Sequence, residues 1–274
     1  MNNLNRHDHH TGKYQHVELV SQLTDISMAD EWYEFATDDH FWIQWRFAAM
    51  LKQLKQLDIP VDQELKVFEI GCGTGTLRAN LESVTKWIID GADLNMNALL
   101  QAKSRRGRTY FYDVLDEHLP FVEAYDVVIL YDILEHIPET KSFLNAVLSH
   151  LRPRGHLLIN VPALQSFYSA YDELMGHHRR YNKKSLTQEL SDFAFQIEDM
   201  RYWGFFMLPL LIGRKFIMTL PKGSHSDEIR RGFNPPKGFA SSFNMFIRAI
   251  MRLEVMALSR PPVGTSLLLV GQKS

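Results

Sequence analysis

Short apolar runs alternate with longer segments of helical periodicity through most of the chain. Most of these runs have the apolar content of strands buried on both faces of a sheet. The predicted strands cover residues 65–70, 87–92, 109–112, 125–130, 156–161, 195–202 and 266–270. Strands that alternate with helices in this way are typical of a parallel sheet with helices on both of its faces. The pattern therefore predicts an α/β fold with a doubly wound, mostly parallel sheet.

Helical periodicity also marks both flanks of this core. Apolar residues recur at helical spacing over residues 41–57 and the pattern stops at Pro60, which predicts an N-terminal helical cap. About sixty residues separate the last two runs, more than a connecting loop needs, so this stretch is predicted to be a helical insertion. The predicted organisation is a tail and cap over residues 1–60, a core over residues 61–203 and 264–274, and an insertion over residues 204–263.

The first run leads into a glycine-rich turn that contains Gly71, Gly73 and Gly75. Glycine lets the backbone turn tightly and approach a ligand without a Cβ atom in the way, and the following helix directs its N-terminus at that ligand. A dinucleotide fingerprint has its third glycine one position later, where this chain has Thr76. The spacing favours S-adenosylmethionine over NAD, and a turn that merely joins strand to helix is the alternative.

The next three runs each lead into an acidic side chain. Asp93 follows the second run, at the offset of about twenty residues that is expected for an acid that binds a ribose. Asp113 follows the third run and Asp132 closely follows the fourth. Open parallel sheets bind ligands at the carboxyl ends of their strands. The sequence therefore predicts that these carboxylates and the glycine turn share one binding site.

These motifs resemble those of the class I S-adenosylmethionine-dependent methyltransferases. The matching segments are Glu-Ile-Gly-Cys-Gly-Thr-Gly at 69–75, Gly-Ala-Asp-Leu at 91–94, Asp-Val at 113–114 and Tyr-Asp-Ile-Leu-Glu-His-Ile-Pro at 131–138. The resemblance implies a Rossmann-like sheet of seven strands in the order 3-2-1-4-5-7-6. It also implies a cofactor site made of Glu69, Gly71, Cys72, Gly73, Gly75, Asp93, Leu94, Asp113, Val114, Tyr131, Asp132 and His136.

Within this site the resemblance implies a place for each part of the cofactor. The glycine turn holds the methionine moiety, Asp93 binds the ribose hydroxyls, and Asp113 reaches the adenine amine. Leu94 and Val114 flank the adenine ring. Residues 131–136 line the methyl-donor end of the site.

A segment of the predicted cap, His-Phe-Trp-Ile-Gln-Trp-Arg at 40–46, resembles one in a bacterial branch of these methyltransferases. In that branch a leading helix covers the cofactor. The resemblance implies that Trp42 and Arg46, one helical turn apart, contact the cofactor, with Arg46 paired to its carboxylate. An aromatic helix face that only packs on the core is the alternative.

The loop after the fifth run is rich in residues that could bind or deprotonate a methyl acceptor, because histidine is the usual proton acceptor near neutral pH. The predicted catalytic residues are His136, His177, His178 and Tyr181. The predicted substrate-binding residues are Tyr168, Tyr171, Arg179 and Arg180. The two arginines could bind a carboxylate or phosphate through forked donors. Structural pairing of these arginines with Asp172 and Glu173, and a transfer that needs no base, are the alternatives.

The small net charge of −2 conceals a polarised chain. Residues 201–274 hold eleven Lys and Arg against three Asp and Glu, and basic side chains edge their apolar segments. Helices of this kind can lie on a membrane surface, admit an amphipathic acceptor, form a homodimer face or simply cover an active site, so these interpretations of residues 204–258 stay open. Nucleic acid is not a predicted partner, because too much aliphatic surface separates the basic residues.

Cysteine usage and hydropathy bear on the compartment. Cys72 is the only cysteine, which excludes a disulfide framework and favours a reducing cytoplasm. The polar N-terminus does not resemble a secretory signal, and no segment is long and apolar enough to span a bilayer. The predicted location is the cytoplasm, with peripheral contact at the inner face of the membrane as an alternative. No metal site is predicted.

The predicted function is transfer of a methyl group from S-adenosylmethionine to an oxygen or nitrogen of a small or amphipathic acceptor, which leaves S-adenosylhomocysteine. The resemblance is strongest to ubiquinone-biosynthesis-like methyltransferases, which share Leu-Glu-His-Ile-Pro at 134–138. The loop at 163–184 and the insertion depart from them, so a quinone acceptor is not implied. A cofactor-binding partner subunit without turnover and an NAD-dependent oxidoreductase are the alternative functions.

Overall fold

An open sheet of eight strands forms the centre of the part of the protein that the computed structural model describes, residues 16–23, 40–116, 121–217 and 240–274. The strands are β1 (Glu18–Leu19), β2 (Lys66–Ile70), β3 (Ile88–Asp93), β4 (Thr109–Phe111), β5 (Tyr125–Tyr131), β6 (Leu151–Pro162), β7 (Phe195–Trp203) and β8 (Ser266–Lys273). They lie in the order β1-β4-β3-β2-β5-β6-β8-β7. Neighbouring strands are parallel except at β8, which is antiparallel to β6 and to β7.

The sheet confirms the predicted fold class and corrects the predicted number of strands. From β4 to β7 its order is the predicted 3-2-1-4-5-7-6, but β1 adds a parallel edge strand beside β4, so the prediction of seven strands was wrong by one. Both side chains of β1 are exposed. A strand this short and this exposed has no apolar run, and for that reason the pattern of residues 1–60 predicts only a tail and a cap.

Helices cover both faces of the sheet. They are α1 (Phe41–Gln56), α2 (Thr76–Val84), α3 (Met96–Leu99), α4 (Thr140–His150), α5 (Ala170–Leu174), α6 (Lys183–Leu190), α7 (Leu208–Ile217) and α8 (Ala240–Ala257). Short 3₁₀ turns cover Leu134–His136, Gln165–Phe167 and Phe205–Met207. At the start of α1, Nδ1 of His40 accepts a hydrogen bond from the Trp42 N–H at 3.2 Å, which caps the helix.

Two hydrophobic clusters pack on the two faces of the sheet. Val67 and Phe68 are consecutive in β2 and enter different clusters, because successive side chains of a strand point to opposite faces. The cluster around Val67 also contains Trp45 of α1 and Ile247 and Met251 of α8. Helix α8 of the insertion and helix α1 of the cap therefore share one apolar core with the sheet.

Candidate active site

The glycine turn lies at the carboxyl end of β2. Gly71, Gly73 and Gly75 have left-handed φ angles of 74°, 50° and 71°. A Cβ atom on Gly75 would lie 2.5 Å from the backbone oxygen of Lys103, so a larger residue does not fit there. Because α2 begins at Thr76, its first backbone N–H groups, which have no partner within the helix, point back at the turn.

Asp93 ends β3 beside this turn and braces it. Its Oδ2 accepts a hydrogen bond from the Gly73 N–H at 2.7 Å, and its Oδ1 accepts one from the Asn95 N–H at 2.8 Å. Each carboxylate oxygen has a further lone pair that can accept from a hydroxyl group. The side chain therefore joins the predicted ribose site to the glycine turn.

A second brace comes from Arg78, which the sequence analysis missed. Its buried guanidinium donates to the carbonyl oxygens of Lys103 and Arg108, at 3.2 and 2.7 Å, and to Oγ1 of Thr109 at 3.0 Å. These bonds tie α2 to the segment that precedes β4. The sequence signal that could have identified Arg78 is its position beside Leu77, on the apolar face of an amphipathic helix, where a charged residue is unusual.

Glu69, the last acid before the turn, is buried and incompletely paired. The residue is 4% exposed, and its Oε2 has no hydrogen-bond partner within the described residues. Burial raises its pKa to about 7, against the opposing charges of Arg78 and Arg46. The carboxyl group is therefore held near its titration point beside the turn.

The cap brings Trp42 and Arg46 to the same edge of the sheet. Arg46 forms an ion pair with Asp132, and its Cζ lies 5.4 Å from the ring centroid of Tyr131. Trp42 packs on Trp203, with 4.6 Å between the ring centroids. Because Arg46 already has a carboxylate partner within the protein, the predicted contact with the cofactor's carboxylate requires it to bind two anions.

Asp132 is also held by Asn160, a second residue that the sequence analysis missed. Asn160 Nδ2 donates to Asp132 Oδ1 at 2.5 Å, and Asn160 Oδ1 accepts from Nε1 of Trp203 at 2.8 Å. Asp132 has a left-handed φ of 58°, a conformation that costs on the order of 1–2 kcal/mol for a residue with a side chain. The signal that could have identified Asn160 is its polar side chain within the apolar run at 156–161.

The remaining predicted cofactor residues lie around β3 and β4. Leu94 packs partly buried against the cluster that contains Cys72, and Val114 is buried. Oδ1 of Asp113 accepts a hydrogen bond from the Leu115 N–H at 2.9 Å, which fixes the turn after β4. Burial raises the pKa of the Cys72 thiol well above its usual range, so Cys72 is a neutral small side chain in the turn.

The 3₁₀ turn after β5 and the loop after β6 meet at His136 and His177, whose ring centroids lie 4.7 Å apart. Nδ1 of His177 lies 3.0 Å from Oδ1 of Asp172, which also accepts from Nε of Arg180 at 2.7 Å. Burial acts to raise the pKa of Asp172, but the hydrogen bond from His177 and the charge of Arg180 outweigh it and hold the pKa at about 2. An ionised carboxylate can only accept, so His177 carries a proton on Nδ1 and turns Nε2 away from Asp172.

His136 and Glu135 are both disposed to be uncharged. Burial, and then the neighbouring His177, lower the pKa of His136 to about 3. Burial, and then Asp132, raise the pKa of Glu135 well above its usual range, and Oε2 of Glu135 has no partner among the described residues. Donor atoms of Glu135, His136 and His177 lie within 4.8 Å of one another. These three side chains could hold a divalent cation, a possibility that the sequence analysis did not predict.

The tyrosines of this loop contribute to its own structure. The Tyr168 hydroxyl donates to the His177 carbonyl at 2.7 Å, and the buried Tyr181 hydroxyl donates to the Leu134 carbonyl at 3.3 Å. Burial raises the pKa of Tyr181 above its usual range. The predicted catalytic residue Tyr181 therefore anchors the loop on the 3₁₀ turn, with its hydroxyl already donated.

The two loop arginines lie in different surroundings. Arg180 is buried and donates to Asp172 and to the Ala163 carbonyl, whereas Arg179 donates to the Pro138 carbonyl at 2.6 Å. The side chain of His178 is exposed. Structural pairing with Asp172, which the sequence left open as an alternative, describes the geometry of Arg180.

Comparison with known proteins matches part of the chain to a family. Residues 68–157 match the family model described as a methyltransferase domain. The ubiquinone biosynthesis O-methyltransferases of Vibrio atlanticus and Proteus mirabilis are 29% and 28% identical over 101 residues, which is 35% of this chain and 42% and 41% of those proteins. The chain thus spans about half or less of the length of the curated relatives it matches.

Solved structures show the same architecture. An S-adenosylmethionine-dependent methyltransferase from Mesorhizobium loti has a TM-score of 0.53 at 16% identity, over 83% of this chain and 99% of that one. Haemonchus contortus phosphoethanolamine N-methyltransferase 2, solved with phosphomonomethylethanolamine and S-adenosylhomocysteine, has a TM-score of 0.52 at 18% identity, over 83% of this chain and 52% of that one. At such low identity, the structural similarity shows a common Rossmann-like fold and no more. Together with the family match over residues 68–157 and the curated relatives, it shows that the chain contains a methyltransferase domain similar to those of S-adenosylmethionine-dependent methyltransferases.

Proposed function

We propose that this chain is a methyltransferase that transfers the methyl group of S-adenosylmethionine to an oxygen or nitrogen of a small or amphipathic acceptor. The observation that carries this proposal is the Asp172–His177 pair beside His136, 3.0 Å from Nδ1 to Oδ1. It lies on the loops that follow β5 and β6, whose carboxyl ends share an edge of the sheet with the glycine turn. A binding module has no need of an oriented histidine there.

In the proposed reaction the lone pair of the acceptor attacks the methyl carbon. The carbon–sulfur bond breaks, its electron pair goes to sulfur, and S-adenosylhomocysteine leaves. The sulfonium is already activated, so the protein mainly aligns the two reactants and excludes water. Nε2 of His177 takes the proton of the acceptor, and the ionised Asp172 stabilises the resulting imidazolium. His136, with a pKa of about 3, is a poor proton acceptor.

Glu135, His136 and His177 offer a second route to the same deprotonation. A divalent cation at this cluster would lower the pKa of a bound acceptor hydroxyl, and His177 would then be a ligand instead of a base. We expect turnover after dialysis against EDTA to stay within about twofold of the untreated protein, because Asp172 orients His177 without a cation. A loss of about 100-fold that Mg²⁺ or Zn²⁺ restores would replace the histidine base with a metal ion.

Glu69 gives a prediction about pH. The ammonium group of the cofactor's methionine moiety is predicted to lie at the glycine turn, where it would favour the ionised carboxylate of Glu69. Since the pKa of Glu69 is about 7, we expect S-adenosylhomocysteine to bind about tenfold more tightly at pH 8 than at pH 6. Calorimetry in two buffers should show proton release on binding, and Glu69→Gln should remove both effects. Unchanged pH dependence in Glu69→Gln would contradict this role.

The same shift has a consequence for the stability of the protein without cofactor. A carboxyl group whose pKa is raised on folding stabilises the fold below its unfolded value of 4.5, and that contribution is lost as the pH rises to about 7. We therefore expect Glu69→Gln to be more stable than the parent protein at pH 8 and closer to it at pH 5. Thermal unfolding of both proteins at the two pH values measures the difference.

The insertion is proposed to contact a membrane surface or an amphipathic acceptor. On α8 four large apolar side chains are exposed: Met245 by 71%, Phe246 by 62%, Leu253 by 57% and Met256 by 82%. Arg252 is exposed beside them. No helix in the described part of the chain has the length and hydropathy of a bilayer span.

We expect the protein to float with vesicles that contain anionic lipid, and Leu253→Asp to reduce that binding several-fold, because apolar burial and basic charge both contribute. A matched change at the exposed Leu115, distant in sequence, serves as the control. Failure to bind vesicles, together with dimers in light scattering that Leu253→Asp dissociates, would assign this face to a homodimer.

The proposed function is tested first by titrating the protein with S-adenosylmethionine, S-adenosylhomocysteine and NAD, and by identifying small molecules that copurify with it. We expect micromolar binding of the two adenosyl ligands and none of NAD. Formation of S-adenosylhomocysteine with candidate acceptors then separates an enzyme from a partner subunit that binds the cofactor without turnover. Binding of NAD alone would overturn the proposal.

A further inference from the structure

Arg214 lies beside the acceptor loop, and none of the described residues pairs with it as an acid. It lies in the last turn of α7 and is half-buried, and its Cζ is 4.1 Å from the ring centroid of Tyr171. Its Nε is buried and has no hydrogen-bond partner in the described part of the chain. The guanidinium therefore lies over the Tyr171 ring, with no hydrogen bond from its Nε to the described residues.

The buried Nε–H group of Arg214 destabilises the folded protein unless a hydrogen-bond acceptor pairs with it. A buried donor without an acceptor costs about 1–3 kcal/mol, and more when the group is charged. Tyr171 covers only a face of the guanidinium, because a cation–π contact does not use the N–H groups in the plane of the guanidinium. Asp172, the next residue, already accepts from Arg180 and His177. The edge of the guanidinium thus has no carboxylate of the described chain to bind.

The position of Arg214 relates it to the proposed proton acceptor. Lys215, the next residue of α7, donates from Nζ to the Ser166 carbonyl at 2.6 Å, which ties the helix to the loop after β6. Tyr171, on which Arg214 stacks, directly precedes Asp172, the residue that orients His177. Asp172 is already in an ion pair with Arg180, so this carboxylate does not pair with Arg214.

We propose that Arg214 binds an oxyanion, a carboxylate or a phosphate, on the methyl acceptor. The guanidinium offers parallel donors that match both groups, and stacking on Tyr171 fixes its plane before the anion arrives. The inference rests on the proposed function and narrows its substrate class to anionic acceptors. Arg179 and Arg180, which the sequence suggests for this role, already donate to Pro138, Asp172 and Ala163.

The test uses the full chain with ¹⁵N-labelled arginine and follows the Nε–Hε signals while sodium phosphate or sodium acetate is added. Sodium chloride at equal ionic strength is the control titration. We expect one signal, absent from Arg214→Lys and from Arg214→Gln, to shift saturably with phosphate or acetate and not with chloride. A shift with phosphate indicates a phosphate on the acceptor, and a shift with acetate indicates a carboxylate. Either result supports the proposal.

Lys215→Gln removes a neighbouring positive charge but keeps the Arg214 guanidinium. This variant should retain the anion-dependent shift of the Arg214 signal. No anion-dependent shift of the Arg214 signal, or an equal shift with chloride, would overturn the inference. This outcome is separable from failure of the proposed function, because the titration needs neither turnover nor cofactor. If the protein binds S-adenosylhomocysteine but shows no anion-dependent shift, the proposed methyltransferase function stands and the proposed anionic acceptor is wrong.

Discussion

His177→Gln is expected to lower kcat by about 10²–10⁴-fold, the usual contribution of a positioned general base. Asp172 fixes the ring through Nδ1, so Nε2 is the atom left for the acceptor's proton. Glutamine keeps the polarity of the side chain but cannot take a proton at neutral pH. Steady-state kinetics with saturating S-adenosylmethionine measures the change, and the dissociation constant for S-adenosylhomocysteine should stay within about twofold.

The control for this prediction is His156→Gln. His156 lies in β6, and its Nε2 is 3.4 Å from Glu198 of β7, so it is a histidine of the sheet and not of the acceptor loop. We expect its kcat to match that of the parent protein. Full activity in His177→Gln would move the base elsewhere or show that none is needed, whereas loss of cofactor binding would point to a damaged site.

Gly75→Ala is expected to weaken binding of S-adenosylhomocysteine by at least about tenfold. The φ of 71° costs on the order of 1–2 kcal/mol for alanine, and each 1.4 kcal/mol corresponds to a factor of about ten in affinity. The new Cβ would also lie 2.5 Å from the Lys103 oxygen, which is backbone and cannot rotate away. Calorimetric titration measures the affinity.

Gly213→Ala is the matched control, because Gly213 lies within α7 and the added Cβ would meet no described residue within 4 Å apart from its chain neighbours and the helix backbone. Alanine is the better helix former, so we expect unchanged cofactor affinity and equal or slightly higher stability. Circular dichroism must show that Gly75→Ala is folded at the temperature of the titration. Parental affinity in a folded Gly75→Ala would separate the glycine turn from the cofactor.

Asp93→Ala probes the same turn from the other side. Removal of a buried hydrogen-bonding partner costs about 1–3 kcal/mol. Here the carboxylate accepts from the Gly73 and Asn95 N–H groups as well as from the predicted ribose. We therefore expect the loss of affinity to come with a lower Tm, and Asp93→Asn, which keeps one acceptor oxygen, to be intermediate in both.

Local signals in the sequence predict seven of the eight strands and the glycine turn at the end of β2. Apolar runs locate strands because burial of a strand requires apolar side chains at consecutive positions, and glycines locate the turn because only they adopt its left-handed φ without strain. These signals are local. The sequence pattern does not predict β1, because its two residues are exposed and its pairing with β4 depends on the rest of the sheet.

The predicted acceptor loop depends on the tertiary structure, because the environment of its side chains comes from residues distant in sequence. His136 and His177 lie forty-one positions apart and meet only when the loop after β6 folds onto the turn after β5. Arg180 and Arg214 have the same chemistry in sequence. Asp172 binds the first, and nothing acidic among the described residues binds the second. The sequence shows that both arginines are present, but only their packing shows which of them is paired with a described carboxylate.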